Sequence, residues 1–313
     1  MRIFSDIENG ASAGPAVDAV TTRERIRTNL AGVGATIAVA SARGGVGKSM
    51  LVVNIAAALA MKGRKVAIVD ADLNSPSIAA MLAMRPQRRL PLIEGIEPAA
   101  GPHGLRIVSS DHLPGGEPPP VSFVQDYDEA DGHNGGEPDL PPRPAELSYR
   151  DALGRILAQS RFGSVDLLLI DLATGLDRLH SLAAMAVLDG ILLLSHPSAN
   201  DTSAARQAMK IGHALDAPIV GIVENMVGFN CDGCRSVRPL FPEGDLPGIA
   251  REAGVPIMAR LAFEPRLADS SDRGVPFVRE YASTPTGKAL VEIANHVDAM
   301  IAARTRIAAI PPG

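Results

Sequence analysis

Residues Arg43 to Ser49 read Arg-Gly-Gly-Val-Gly-Lys-Ser, and they follow the apolar run Thr36–Ala40 directly. A strand that enters a glycine-rich loop and then a helix is built to hold phosphate. Gly44, Gly45 and Gly47 lack a Cβ, so the backbone can bend sharply and aim its N–H groups at phosphate oxygens. Lys48 adds a charge for the β- and γ-phosphates, and the Ser49 hydroxyl suits Mg²⁺. The helix expected over Lys48–Met61 turns its positive end toward the anion. A chance glycine-rich turn would not need strand, loop and apolar helix in this order. The chain therefore reads as a nucleotide binder, with Gly44, Gly45, Val46, Gly47, Lys48, Ser49 and Met50 as the contact stretch.

Around this loop the pattern alternates. Short runs rich in branched apolar residues recur at Val66–Val69, Leu105–Val108, Val165–Ile170, Gly190–Leu194 and Ile219–Val223. Helix-length segments separate most of them, with helices expected at Ser75–Leu82, Tyr149–Ser160, Ser203–Leu215, Leu246–Ala253 and Thr286–Ala303. That rhythm predicts an α/β fold with a doubly wound, mainly parallel sheet flanked by helices. At 313 residues and 46% hydrophobic content the chain can bury one large core. We read residues 1–34 as a tail with a short helix around Thr21–Leu30, 35–303 as the nucleotide-binding domain, and 304–313 as a second tail. The Pro- and Gly-rich, acidic stretch 110–147 reads as a surface insertion, loop or disordered.

A net charge of −5 argues mildly against a nucleic-acid partner. No apolar run reaches the ~18 residues of a membrane span, and the start lacks a signal-peptide pattern. The sequence thus points to the cytoplasm, with neither nucleic acid nor membrane as partner. A membrane-targeting role for the basic end of the last helix is outweighed by simple packing on the sheet, because its basic face is short. The seven histidines are dispersed; His196 follows a buried strand beside Pro197, a common place for a loop histidine, and we give it no role.

Two further runs end in acids: Val66–Asp72 (Val-Ala-Ile-Val-Asp-Ala-Asp) and Asp166–Asp171 (Asp-Leu-Leu-Leu-Ile-Asp). Ligands of open parallel sheets bind at the carboxyl ends of strands, so Asp70, Asp72 and Asp171 are expected near the phosphate loop. Phosphoryl transfer asks the protein for positioning, charge neutralisation and a group that orients water. Asp72 is the candidate for the water, and Ser49, Asp72 and Asp171 are the candidates for the Mg²⁺ side. Read alone, each acid could equally begin a loop or cap a helix.

The chain resembles the deviant phosphate-loop ATPases that include MinD, ParA and nitrogenase iron protein, and within them the Mrp/ApbC iron–sulfur cluster carriers. Ile37–Ser49, Val69–Ile78, Leu168–Gly175, Gly221–Met226, the Cys231-x-x-Cys234 pair and Leu261–Leu267 carry the resemblance, in the family's order. It implies a P-loop NTPase that binds ATP and Mg²⁺, works as a homodimer and passes a [4Fe–4S] cluster to apo-proteins. It further implies that Asn225 hydrogen-bonds adenine, that Asp72 orients water and that Asp171 sits at the second switch. Three departures stand out. Arg43 occupies the place of the signature lysine, keeping the charge on a wider, planar group. The switch Asp171-Leu-Ala-Thr-Gly175 lacks the family's two prolines. The insertion replaces a Trp-Arg-Gly-Pro stretch.

Cys231 and Cys234 are the chain's only cysteines. One C-x-x-C pair supplies half of a four-cysteine site, and a two-fold dimer would supply the rest. The same ligands suit Zn²⁺, and a redox dithiol or an incidental pair would have the same spacing. Gly233 fits a tight turn between the thiols. Two rival functions remain at this level: a ParA/MinD-like positioning ATPase on DNA or membrane, and a regulatory homologue that binds nucleotide but hydrolyses it weakly.

Overall fold

The computed structural model describes residues 19–85, 95–110, 149–230, 236–242 and 244–308. The expected surface insertion, apart from Ser110, lies outside them, as do Cys231, Gly233, Cys234 and the chain's two ends. The elements run in chain order as α1 (Ala19–Leu30), β1 (Thr36–Ala40), α2 (Lys48–Met61), β2 (Val66–Ala71), α3 (Ile78–Met81), β3 (Ala99–Ala100) and β4 (Arg106–Val108). They continue as α4 (Tyr149–Gln159), β5 (Leu167–Leu172), α5 (Leu176–Met185), β6 (Gly190–Ser195), α6 (Ala199–Ala214), β7 (Ile219–Asn230) and β8 (Val237–Arg238). The last are α7 (Leu246–Glu252), β9 (Ile257–Phe263), α8 (Pro265–Asp272), α9 (Phe277–Tyr281) and α10 (Pro285–Ala308).

Among the described residues one sheet holds the nine strands, in the order β3-β4-β2-β5-β1-β6-β7-β8, with β9 also on β7. The pairs among β1, β2, β4, β5, β6, β7 and β9 are parallel; only β3–β4 and β7–β8 are antiparallel. Every residue of β1, β2, β5 and β6 is buried, as a sheet covered on both faces requires. Two apolar cores result. One packs α1, α4, α5, α6 and α7 against the sheet through residues such as Ile26, Leu153, Leu179 and Ile249. The other packs α2, α9 and α10 through Leu51, Ile55, Phe277, Ile293 and Val297. Helix α2 is buried from Leu51 to Ala60, which explains why that stretch is apolar on nearly all sides, Asn54 excepted.

Several boundaries differ from the sequence expectations. The helix expected at Ser75–Leu82 shrinks to Ile78–Met81, because Asp70 holds the preceding residues in a loop. Strand β5 begins at Leu167 and runs through Asp171, since Asp166 turns outward to accept the Lys65 N–H at 2.7 Å. Strand β9 and helix α5 were not foreseen; β9 reads Ile-Met-Ala-Arg-Leu-Ala-Phe, with most residues only partly buried, and gives a weak apolar signal. The last helix does pack on the sheet, as expected, but it extends to Ala308, beyond the expected boundary at 303.

Candidate active site

The phosphate loop crosses the end of β1, the strand at the centre of the sheet between β5 and β6. Gly45 (φ 74°) and Gly47 (φ 93°) take left-handed backbone conformations that other residues resist. A Cβ on Gly47 would lie 2.9 Å from the Asn225 Nδ2 atom, so the loop also needs its glycine for close packing. Gly47 caps α2, and Lys48 opens it.

Lys48 is buried, and its Nζ donates to the Thr174 hydroxyl at 3.2 Å. Burial lowers its pKa, while the charges of Asp171 and then Asp72 pull it back up. The second switch therefore lies directly over the loop. The Gly175 N–H also donates to the Ser41 carbonyl at 3.2 Å. Thr174, where the resemblance leads one to look for proline, is thus a polar partner for Lys48, a contact that no motif in the chain signals.

Asp70 and Asp171 face each other in register on β2 and β5. Both are buried. Burial pushes the Asp171 carboxyl up to about 7; the neighbouring charge of Asp70 adds to this, and Ser49 and Lys48 oppose it. Neither Asp171 oxygen has a hydrogen-bond partner among the described residues. Two orphaned carboxylate oxygens beside a serine hydroxyl fit a divalent cation, because a hard oxygen-liganded ion would supply the missing partner. Asp70 is different. It accepts N–H groups from Ser77 (2.9 Å), Ile78 (3.0 Å) and Asp72 (3.3 Å), and burial still raises its pKa to about 6. The sequence placed both acids of the Asp-Ala-Asp pair at the phosphate loop, whereas the structure uses Asp70 to shape the loop that carries Asp72.

Asp72 is half-buried. Desolvation raises its pKa, against the charges of Lys48 and Arg178 and the Ser75 N–H. Asn225, midway along β7 and paired with Leu261 of β9, is buried, and its Nδ2 donates to the Val46 carbonyl at 2.9 Å. Its Oδ1 accepts the N–H of Met226, whose φ of 57° is itself unusual. The structure thus sets Asn225 against the phosphate loop. Arg43 projects from the other side, half exposed, with Nε 3.4 Å from Asp201 Oδ1. Asp201 is only 5% exposed, so its charge depends on such partners. It sits in the first turn of α6, where its N–H and carboxylate meet the Ser198 hydroxyl. His196 stands 3.9 Å from the same carboxylate and stacks on Phe241, with ring centroids 4.7 Å apart. With Ser198 as its cap, α6 begins at Ala199, one turn earlier than the expected start at Ser203.

The model of the NUBPL iron-transfer P-loop NTPases, within the ParA group, matches residues 32–123 and 147–298. The chain belongs to this family. The match leaves out 124–146, inside the insertion. An iron-sulfur cluster carrier protein of Saccharolobus solfataricus is 31% identical over 280 residues, covering 87% of this chain and 86% of that protein. The cytosolic Fe-S cluster assembly factor NUBP2 of Bos taurus is 30% identical over 278 residues, covering 86% of this chain and 94% of that protein. Among solved structures, a nucleotide-binding protein of Archaeoglobus fulgidus in complex with ADP superposes with a TM-score of 0.64 at 26% identity, covering 85% of this chain and 95% of that one. The cell division protein MinD of Aquifex aeolicus shares the fold, with a TM-score of 0.54 at 17% identity over 85% of this chain and 97% of its own. Family and fold therefore agree with the P-loop NTPase reading.

Proposed function

We propose that the chain is an ATP-hydrolysing carrier that receives a [4Fe–4S] cluster on Cys231 and Cys234 of two copies and passes it to apo-proteins in the cytoplasm. The observation that carries the ATPase part is the buried Lys48 beneath the switch, in the field of Asp171 and Asp72 from two adjacent strand ends. Gly44 to Met50 bind the triphosphate, and Asn225 closes the base end of the site while pinning Val46. Ser49 and Asp171 would hold Mg²⁺, which neutralises phosphate charge when bound. Asp72 orients the attacking water and Lys48 steadies the γ-phosphoryl oxygens; the products are ADP and phosphate. Arg43 reaches the nucleotide of the partner copy, as the family's signature residue does. The carrier part rests on family membership and on the C-x-x-C pair.

Anaerobic reconstitution with iron and sulfide tests the proposal. The expected result is the absorbance of a [4Fe–4S] cluster with four irons per two chains, lost in a Cys231→Ser, Cys234→Ser variant. Zinc bound tightly in place of iron, or no metal, would refute cluster carriage. Lys48→Ala should abolish ATP turnover; cluster delivery from that variant at the wild-type rate would refute coupling between the two activities.

A further inference from the structure

Thr174 brings to the switch a hydroxyl that a proline in its place would lack. The residue is exposed, whereas Asp171, Leu172 and Ala173 before it are buried. The turn that carries it is anchored, because the Gly175 N–H donates to the Ser41 carbonyl at 3.2 Å and Gly175 takes a φ of 122°. Thr174 thereby lies against the phosphate loop. A Cβ added to Gly44 would stand 3.6 Å from the Thr174 hydroxyl oxygen, and the buried Lys48 Nζ donates to that same oxygen at 3.2 Å. An ammonium group can only donate, so the hydroxyl accepts in this contact and keeps its own proton to give. Among the described residues the bond from Lys48 is the one hydrogen bond this hydroxyl makes.

We propose that Thr174 is a γ-phosphate contact through which this chain tells a nucleoside triphosphate from a diphosphate. The proposal rests on the reading of Gly44 to Met50 as the triphosphate loop. In such a loop the backbone N–H groups cradle the phosphates nearer the nucleoside, and the lysine reaches on to the β- and γ-phosphates. The anion at the tip of Lys48, beyond the cradle, is then the terminal phosphate. A hydroxyl oriented by that same ammonium group, exposed and with a proton to give, donates to it. Hydrogen bonds to charged oxygens are roughly twice as strong as those between neutral groups, so a single hydroxyl is enough for a measurable preference. A diphosphate ends inside the cradle and offers Thr174 nothing to hold. Thr174 neither orients the attacking water nor moves a proton in the reaction.

The test is calorimetric titration of the full chain with two nucleotides, each with Mg²⁺: the non-hydrolysable ATP analogue adenylyl imidodiphosphate, and ADP. Thr174→Val keeps the branched shape and removes the hydroxyl. It should weaken binding of the analogue about tenfold and leave ADP affinity nearly unchanged. Thr174→Ser keeps the hydroxyl and should recover most of that loss. Wild-type affinity for the analogue in Thr174→Val would overturn the proposal. An equal loss for both nucleotides would also overturn it, because that marks a residue that merely orients Lys48, whose charge serves the β-phosphate as well. A serine variant as weak as the valine one would do the same. Failure of the wild-type chain to bind either nucleotide defeats the reading of the triphosphate loop itself. Binding of both by wild type, with no selective loss in Thr174→Val, defeats only the role of Thr174.

Discussion

Replacing Asp171 by Asn should make the nucleotide-free protein more stable, and only above a certain pH. The folded carboxyl is raised from 3.8 to about 7. A group whose pKa rises on folding binds more protons in the native state, so it opposes folding as pH climbs. The penalty is absent below about pH 4, grows through the interval and is complete above about pH 7. Three units at 1.36 kcal/mol each amount to about 4 kcal/mol. Asp70 lies opposite and shares in the repulsion, so one substitution should recover roughly 2–4 kcal/mol. An amide of the same shape carries no charge to bury, so its desolvation costs far less than that of the carboxylate. Urea unfolding at several pH values measures the effect. Asp171→Asn should match wild type at pH 4 and exceed it by roughly 2–4 kcal/mol at pH 8. Excess MgATP should erase the advantage, because only the carboxylate benefits from the cation. No gain at pH 8, or an equal gain at both pH values, would refute the claim that burial of this charge is what the fold gives up for the site.

Asn225→Ala removes two 2.9 Å hydrogen bonds, one buried and one partly buried, and strands the Val46 carbonyl, so it should cost about 2–3 kcal/mol in urea unfolding. It should also weaken ATP binding more than tenfold, read by titration with a fluorescent ATP analogue. Asp201→Asn should release Arg43 and take away the charge that favours protonated His196. The His196 ring, already below its ordinary 6.5 through burial, should then titrate at still lower pH by NMR.

The elements that depend on local pattern were legible. Thr36–Ala40 and Lys48–Met61 coincide with β1 and α2, because a fully buried strand and a largely buried helix both appear as mainly apolar runs between sharp punctuation. The phosphate loop and the acids at the ends of β2 and β5 could be placed from the general rule that parallel sheets gather ligands at one edge. Strand β9 was missed because most of its side chains are only partly buried, so they need not be strongly apolar. The division of labour between Asp70 and Asp72 was not visible either. Both precede a loop, and only the three backbone donors from Asp72, Ser77 and Ile78 reveal which acid is structural. Arg178 and Tyr149 are nearly thirty positions apart, and a ring–cation contact across that separation leaves no periodic trace.

Arg43 shows how the altered signature residue fits this chain. A guanidinium spreads its charge over a wide fork, and at rest it needs a partner that a compact ammonium could replace with water. Asp201 provides it, being almost without solvent of its own. Asp201 also faces His196, whose imidazole pKa is lowered first by burial and further by the Arg43 charge, against the pull of Asp201. The same corner is held from the opposite side. Phe241 stacks on His196, and the Gly244 N–H donates to the Pro197 carbonyl at 2.7 Å. Phe241 lies only seven residues beyond Cys234 in the chain. The phosphate loop, through Arg43, and the chain at Phe241 and Gly244 therefore both lean on the residues that start α6, so Asp201→Asn should loosen both contacts at once.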